Sequence, residues 1–252
     1  IDDSMPPLLD KMKKAIASIT DKPVDFLINT HVHGDHTGNN TSMGKSAHIV
    51  AHENLRQHLL TKGIDTPKGK APAPKSALPV ITFSDRMNFH LNGEDAQIFH
   101  VAKAHTDGDA VIHFKQANVI HAGDAFFNGL FPYIDIDSGG SVAGYIKAQQ
   151  KVIAISNDKT QIIPGHGPLS NKTELQKANA MLIECSDLIK ALVAQGKSED
   201  EVVKLNPLAK YHDDWNWGFI TTERMTRQLY KDLAASGAQA QATGVKSHGH
   251  SH

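Results

Sequence analysis

The chain has 252 residues, a formal net charge of −1, 40% hydrophobic residues and one cysteine. One α/β domain can take up that length and bury a packed core. The near-zero charge excludes a dedicated nucleic-acid surface, no apolar run reaches the roughly 18 residues of a membrane helix, and a single cysteine excludes an intrachain disulfide.

The chain starts Ile1-Asp2-Asp3-Ser4, which reads as a strand end running into a helix cap. Ser4 is the expected N-cap, followed by Pro6 and Pro7 in the first turn. Leu8, Leu9, Met12, Ile16 and Ile19 recur at helical spacing and predict an amphipathic helix over 5–19. Pro23 then breaks to a buried strand over 24–30, with a second strand at 47–50 and a helix near 52–61. Residues 62–79 are rich in proline, glycine and lysine and show no period, so a long loop is expected. Residues 80–124 alternate as short strands, with Asn92-Gly93 as a hairpin turn. Ser141 caps a helix through Ile155. After His166 the chain turns helical: Lys172 to Ala194, a second helix behind the capping box Ser198-Glu199-Asp200-Glu201, and a third over 219–235. One domain is expected over 1–235, its C-terminal part, 172–235, helical. The polar stretch 236–252 is expected to be disordered.

The first strand leads into His31-Val32-His33-Gly34-Asp35-His36. A strand that exits through a glycine-containing turn can splay His31, His33, Asp35 and His36 around one cavity, and imidazole with carboxylate suits zinc and similar divalent metals. Three further motifs each follow a strand-like run: His105 in Ala104-His105-Thr106-Asp107-Gly108-Asp109, Asp124 in His121-Ala122-Gly123-Asp124, and His166 in Pro164-Gly165-His166-Gly167. Each is weak alone, and the ordered set is specific.

The His-x-His-x-Asp-His motif with this ordered set resembles the metallo-β-lactamase superfamily, from Ile1 to about Ser170. The resemblance implies a four-layer αββα sandwich. Because relatives carry strands before this point, it is expected without its usual first strands. The resemblance implies that His31, His33 and His105 hold one metal, that Asp35, His36 and His166 hold a second, and that Asp124 bridges them. Two zinc ions are expected, with iron or manganese as other occupants. Two metals about 3.5–4 Å apart can hold a hydroxide, so no serine or cysteine nucleophile is needed.

The implied activity is zinc-dependent hydrolysis of an ester, lactone, thioester or amide, with Asp35 orienting the nucleophile. An aspartate at 124 resembles the glyoxalase II and lactonase branches; zinc β-lactamases carry cysteine or serine there, so β-lactam turnover would be secondary. The alternative is an iron-dependent redox enzyme of the same fold, similar to persulfide dioxygenases. The substrate is expected to be a small molecule, with no nucleic-acid or membrane partner. The relatives favour an exported, periplasmic location, and the oligomeric state is open. In the aromatic stretch 125–133, Tyr133 and Asn128 are candidates to steady an oxyanion. Asp109 and Thr30 are candidates to orient ligand imidazoles. Trp215 and Trp217 close over the cleft or anchor the last helices. Cys185 reads as a buried structural thiol. The alternating His248, His250 and His252 have no expected part in catalysis.

Overall fold

The computed structural model describes residues 1–244. After a 3₁₀ turn at Pro6–Leu8, α1 (Leu9–Ala17) leads to β1 (Phe26–Ile28). Short helices α2 (Gly34–Thr37) and α3 (Asn40–Met43), strand β2 (His48–His52) and α4 (Glu53–Lys62) follow. A small hairpin, β3 (Ile64–Thr66) and β4 (Gly69–Ala71), precedes β5 (Ile81–Phe83). Then come β6 (Arg86–Leu91), β7 (Glu94–His100), β8 (Ala110–Phe114) and β9 (Val119–Phe127). Next are α5 (Val142–Ile155), β10 (Gln161–His166), β11 (Ser170–Asn171) and α6 (Lys172–Ala194). The chain closes with α7 (Glu199–Leu205), α8 (His212–Trp215) and α9 (Thr222–Gly244).

Two sheets result. The smaller is parallel, in the order β1-β2-β5; the larger runs β11-β10-β9-β8-β7-β6. Three cores define the layers. Ile98, Ile112 and Phe83 fill the space between the sheets with Ile28, Met87 and Phe89. On the outer face of the small sheet, Leu27 and Ile49 pack on Met43 and α1, while Ala51 packs on Leu55 and Leu59 of α4. On the outer face of the large sheet, Val111, Ile120, Phe126 and Ile162 pack on Ala148 and Val152 of α5 and Leu175 of α6. This is the expected αββα order, with a helical C-terminal part around Phe131, Leu182, Ile189 and Leu229. No helix among the described residues is long and apolar enough to cross a membrane.

Local signals set several boundaries. Leu91 pairs with Glu94, so Asn92 and Gly93 form the two-residue hairpin, at φ 56° and 75°. Both central residues of such a turn need positive φ, which Asn and Gly tolerate. Ser141 accepts from the Gly144 N–H at 3.0 Å and caps α5, and Ser198 with Glu201 makes the reciprocal capping box of α7.

Four expectations need correction. Ser4 is not a cap; Met5 stands there without a side-chain bond, and Ser4 takes a positive φ of 62°. The first helix is shorter than 5–19, because the two prolines impose a 3₁₀ turn first. Residues 62–79 are not wholly loop: Thr66 Oγ1 donates to the Gly69 carbonyl at 2.7 Å and closes the β3–β4 hairpin. The last helix runs through Gly244 and not to 235, because the alanines and glutamines that follow are good helix formers. The rest of the expected tail, with His248, His250 and His252, lies outside the described residues.

Candidate metal centre

Four stretches of chain meet at the centre, three of them just past or at a strand end and one from within a strand. β1 delivers the 31–36 hexapeptide, the turn after β7 delivers His105, β9 delivers Asp124, and the end of β10 delivers His166. A bulge makes room for Asp124: Ile163 pairs with His121 but Pro164 with Gly123, so β9 spends an extra residue there and its direction changes. Gly123 takes φ 51° against Thr30, where a Cβ would come within 2.8 Å of the Thr30 Cβ. A Cβ on Gly165 would come within 1.9 Å of Asp124 Oδ1, so only glycine leaves that carboxylate its place.

The side chains converge as two sets. His31, His33, His105 and Asp124 offer ligand atoms within 4.8 Å of one another, and so do Asp35, His36 and His166. Asp124 joins the sets. Its Oδ2 lies 3.6 Å from His31 Nε2, 3.4 Å from His105 Nε2 and 3.4 Å from His166 Nε2, and its Oδ1 lies 3.2 Å from His36 Nε2. Asp35 Oδ2 lies 3.4 Å from His166 Nε2 and 3.5 Å from His36 Nε2.

The tautomers implied by the outer hydrogen bonds test whether a cation fits. Thr30 Oγ1 donates to Asp2 at 2.8 Å, so it accepts from His31 Nδ1 at 3.0 Å. His36 Nδ1 donates to Asp2 Oδ2 at 2.7 Å, His105 Nδ1 to the Tyr133 carbonyl at 2.7 Å, and His33 Nε2 to Asp135 Oδ2 at 2.9 Å. With the outer nitrogen donating, the inner nitrogen of each neutral imidazole is a bare lone pair. His33 Nδ1 and His105 Nε2 thus face each other at 2.8 Å, and His31 Nε2 and Asp124 Oδ1 are buried with no hydrogen-bond partner. Converging lone pairs and carboxylate oxygens repel unless a cation or protons lie among them. The residues present therefore fit a divalent metal.

Protonation follows the same logic. Burial holds His31 well below the ordinary imidazole value and pushes His105 down to about 4, so both stay neutral. Burial opposes a charge on His36, but Asp2, Asp124 and Asp35 around it raise its pKa far above the ordinary range. Hydrogen bonds to Asp124 and Asp35 raise His166 to about 9. Burial works against the Asp124 carboxylate, yet His31, His105, His166 and His36 hold it ionised. A proton and a metal compete for the same lone pairs on His36 and His166.

Of the other expected site residues, Tyr133 lines the cleft, its ring stacked on His33 at 5.8 Å between centroids. Asn128 does not reach the cleft; its amide donates to the Pro168 carbonyl at 3.1 Å and ties down the loop after His166. Asp109 does not touch a ligand ring. Burial lifts it to about 8, and it accepts from the Thr106 N–H at 2.8 Å and hydroxyl at 2.6 Å, bracing the turn after His105. Asp107 pairs with His58 at 2.7 Å. Thr30 does face a ligand, as expected. Trp217 lines the cleft, whereas Trp215 packs into the core and its carbonyl accepts from Phe131 N–H. Asp2 and Asp135, which orient His36 and His33, were not singled out in the sequence. They are separated from those rings by 34 and 102 residues, and nothing local marks them.

An αββα sandwich with a His/Asp cluster at its strand ends is the hydrolase fold of the metallo-β-lactamase superfamily. The superfamily's sequence pattern matches residues 5–166, and the chain belongs to that superfamily. Among solved structures, the metallo-beta-lactamase from Pontibacter korlensis aligns with a TM-score of 0.59 at 17% identity, covering 73% of this chain and 80% of that one. The metallo-beta-lactamase IND-7 aligns at 0.58 and 20%, covering 72% and 79%. Identities this low carry the fold alone. The alpha subunit of 2,4-dinitroanisole O-demethylase from Nocardioides sp. (strain JS1661) is 25% identical over 147 residues. That match spans 58% of this chain but only 41% of the subunit.

Proposed function

We propose that the chain is a dinuclear zinc hydrolase that cleaves an ester, lactone, thioester or amide bond in a small molecule, with β-lactams as secondary substrates. The observation that carries this reading is Asp124, a buried carboxylate shared by two sets of inward-turned ligands. His31, His33, His105 and Asp124 would hold one metal and Asp35, His36 and His166 the other, with Asp124 shared through its closeness to His36 and His166. Bound there, the pair would supply a Lewis acid and a water of pKa about 7.

The chain's own residues do the rest. Asp35, about one third exposed at its side chain, is the carboxylate of the cluster most open to the cleft, and it orients the attacking water by accepting a hydrogen bond from it. Its pKa lies below the usual carboxylate range: burial opposes this, but bonds to His166 and His36 outweigh it. The Tyr133 hydroxyl, in its neutral form because burial and Asp135 raise its pKa, donates to the developing oxyanion. Phe127 and Trp217 exclude bulk water from the reacting carbon.

The test is a set of initial rates on a lactone, a glutathione thioester, a β-lactam and a phosphodiester, with zinc and after chelation. A nitroaryl methyl ether belongs in the set because of the O-demethylase relative. Chelator-sensitive hydrolysis of one carbonyl class, at two zinc ions per chain, is the expected result. Turnover only with iron, with consumption of oxygen, would replace it with the redox alternative.

A further inference from the structure

The cleft of about 550 Å³ that opens over Asp35, Asp124 and His166 is walled by Phe127, Tyr133, Trp217 and Phe219. These rings come from three separate segments: the end of β9, the chain that follows it, and the 216–221 connection into α9. Trp217 is fixed. Its Nε1 donates to the Phe131 carbonyl at 2.9 Å, and the Phe131 N–H donates to the Trp215 carbonyl at 2.8 Å. The indole is therefore positioned before any ligand arrives.

Phe219 is 47% exposed, beside a polar centre. Arg224 holds it: Nη1 donates to its carbonyl at 2.9 Å, and the guanidinium lies 4.1 Å from its ring centroid and 5.3 Å from that of Tyr133. Tyr133 and Trp217 both meet Phe219 edge to face, at 5.5 and 5.6 Å between centroids. Rings crossed at such angles present faces and edges to a guest, the arrangement that distinguishes a π-system from an alkyl group of equal size. Phe127 and Tyr133 fall within the stretch matched by the superfamily pattern, whereas Trp217 and Phe219 lie beyond residue 166, so the C-terminal part of this chain supplies that half of the wall.

We propose that the cleft binds a planar aromatic group of the substrate against Trp217, Phe219 and Tyr133, next to the metal centre. This rests on the hydrolytic reading for its reacting centre but not for its binding energy. The cleft discriminates by ring character, and the polar end of the substrate points towards Asp35 and His166.

The test is a ligand-observed NMR titration of the full metal-loaded chain with 2-naphthol and with its saturated counterpart, decahydro-2-naphthol. Both are neutral and similar in size. Naphthol is expected to bind about tenfold tighter, which corresponds to about 1.4 kcal/mol. Phe219→Ala, at an exposed position, is expected to remove most of that preference. Trp217→Phe, which keeps a ring on the wall, is expected to keep part of it. Equal affinities, no binding, or a preference untouched by Phe219→Ala would overturn the proposal. Esters of phenol and cyclohexanol, assayed alongside, separate the two readings. Ring-selective binding with no chelator-sensitive hydrolysis defeats the hydrolase and leaves the aromatic site. Hydrolysis with no ring preference in binding defeats the aromatic site and leaves the hydrolase.

Discussion

Asp135 shows how a single residue outside the ligand set can govern it. It accepts from His33 Nε2 and thereby leaves Nδ1 to face the centre. Asp135→Asn can present its N–H₂ to the ring and turn the tautomer round. Metal affinity, read by competition with a chelator of known strength, is expected to fall roughly 10–100-fold. Gly165→Ala tests the same centre through space alone. Its Cβ would sit on Asp124 Oδ1, so Asp124 must move. Elemental analysis is expected to give fewer than two metals per chain, with a stability loss of about 1–3 kcal/mol for the overpacking. Two metals retained in this variant would show that Asp124 is not shared.

At the scale of elements, the C-terminal helices join the sandwich through buried polar contacts as well as apolar ones. Asp232 of α9 accepts from the Val142 N–H at 2.9 Å, at the start of α5, and burial raises its pKa despite that bond. A carboxyl raised in the folded state holds its proton where the unfolded chain, with a value of about 3.9, has lost it. Its stabilising contribution is full below that value and is lost as the pH rises through the raised folded value. Asp232→Asn is therefore expected to flatten the fall in stability above about pH 4, measured by urea unfolding of chelated protein at a series of pH values. An unchanged slope would remove Asp232 from the account. On α6, burial pushes the Cys185 thiol up to about 12, and the residue is fully buried. Iodoacetamide at neutral pH is expected to leave it unmodified in the native protein and to label it once unfolded.

For the whole molecule, a metal bound among the converging lone pairs would relieve their repulsion and so would link metal to fold. At a free metal concentration about 1,000 times Kd, binding adds about 4 kcal/mol. For a chain of this size that corresponds to a shift in Tm of roughly 8–16 °C. Chelation is expected to lower Tm by that order in scanning calorimetry, and readdition of zinc to restore it. An unchanged Tm would mean that the clusters do not hold metal with the native fold.

The sequence alone was enough for the hexapeptide 31–36, because His31, His33, Asp35 and His36 are neighbours along the chain and their spacing is itself the signal. It was also enough for Asn92-Gly93, for the Ser141 cap and for the full extent of Lys172–Ala194, because turn chemistry, caps and helical period are local. The β3–β4 hairpin escaped because its strands are three residues each and carry no apolar alternation to read. Only the tertiary structure decided which carboxylates orient the ligands. Asp2 and Asp135 orient His36 and His33, and Asp107 and Asp109, beside His105 in the sequence, do not, because of the way β1 and the chain after β9 converge. It also decided that Trp217 rather than Trp215 faces the cleft, and that the Asn128 amide is spent on Pro168. A hydrogen bond across a hundred residues depends on packing between layers, and no periodicity along the chain records which partner that packing will supply.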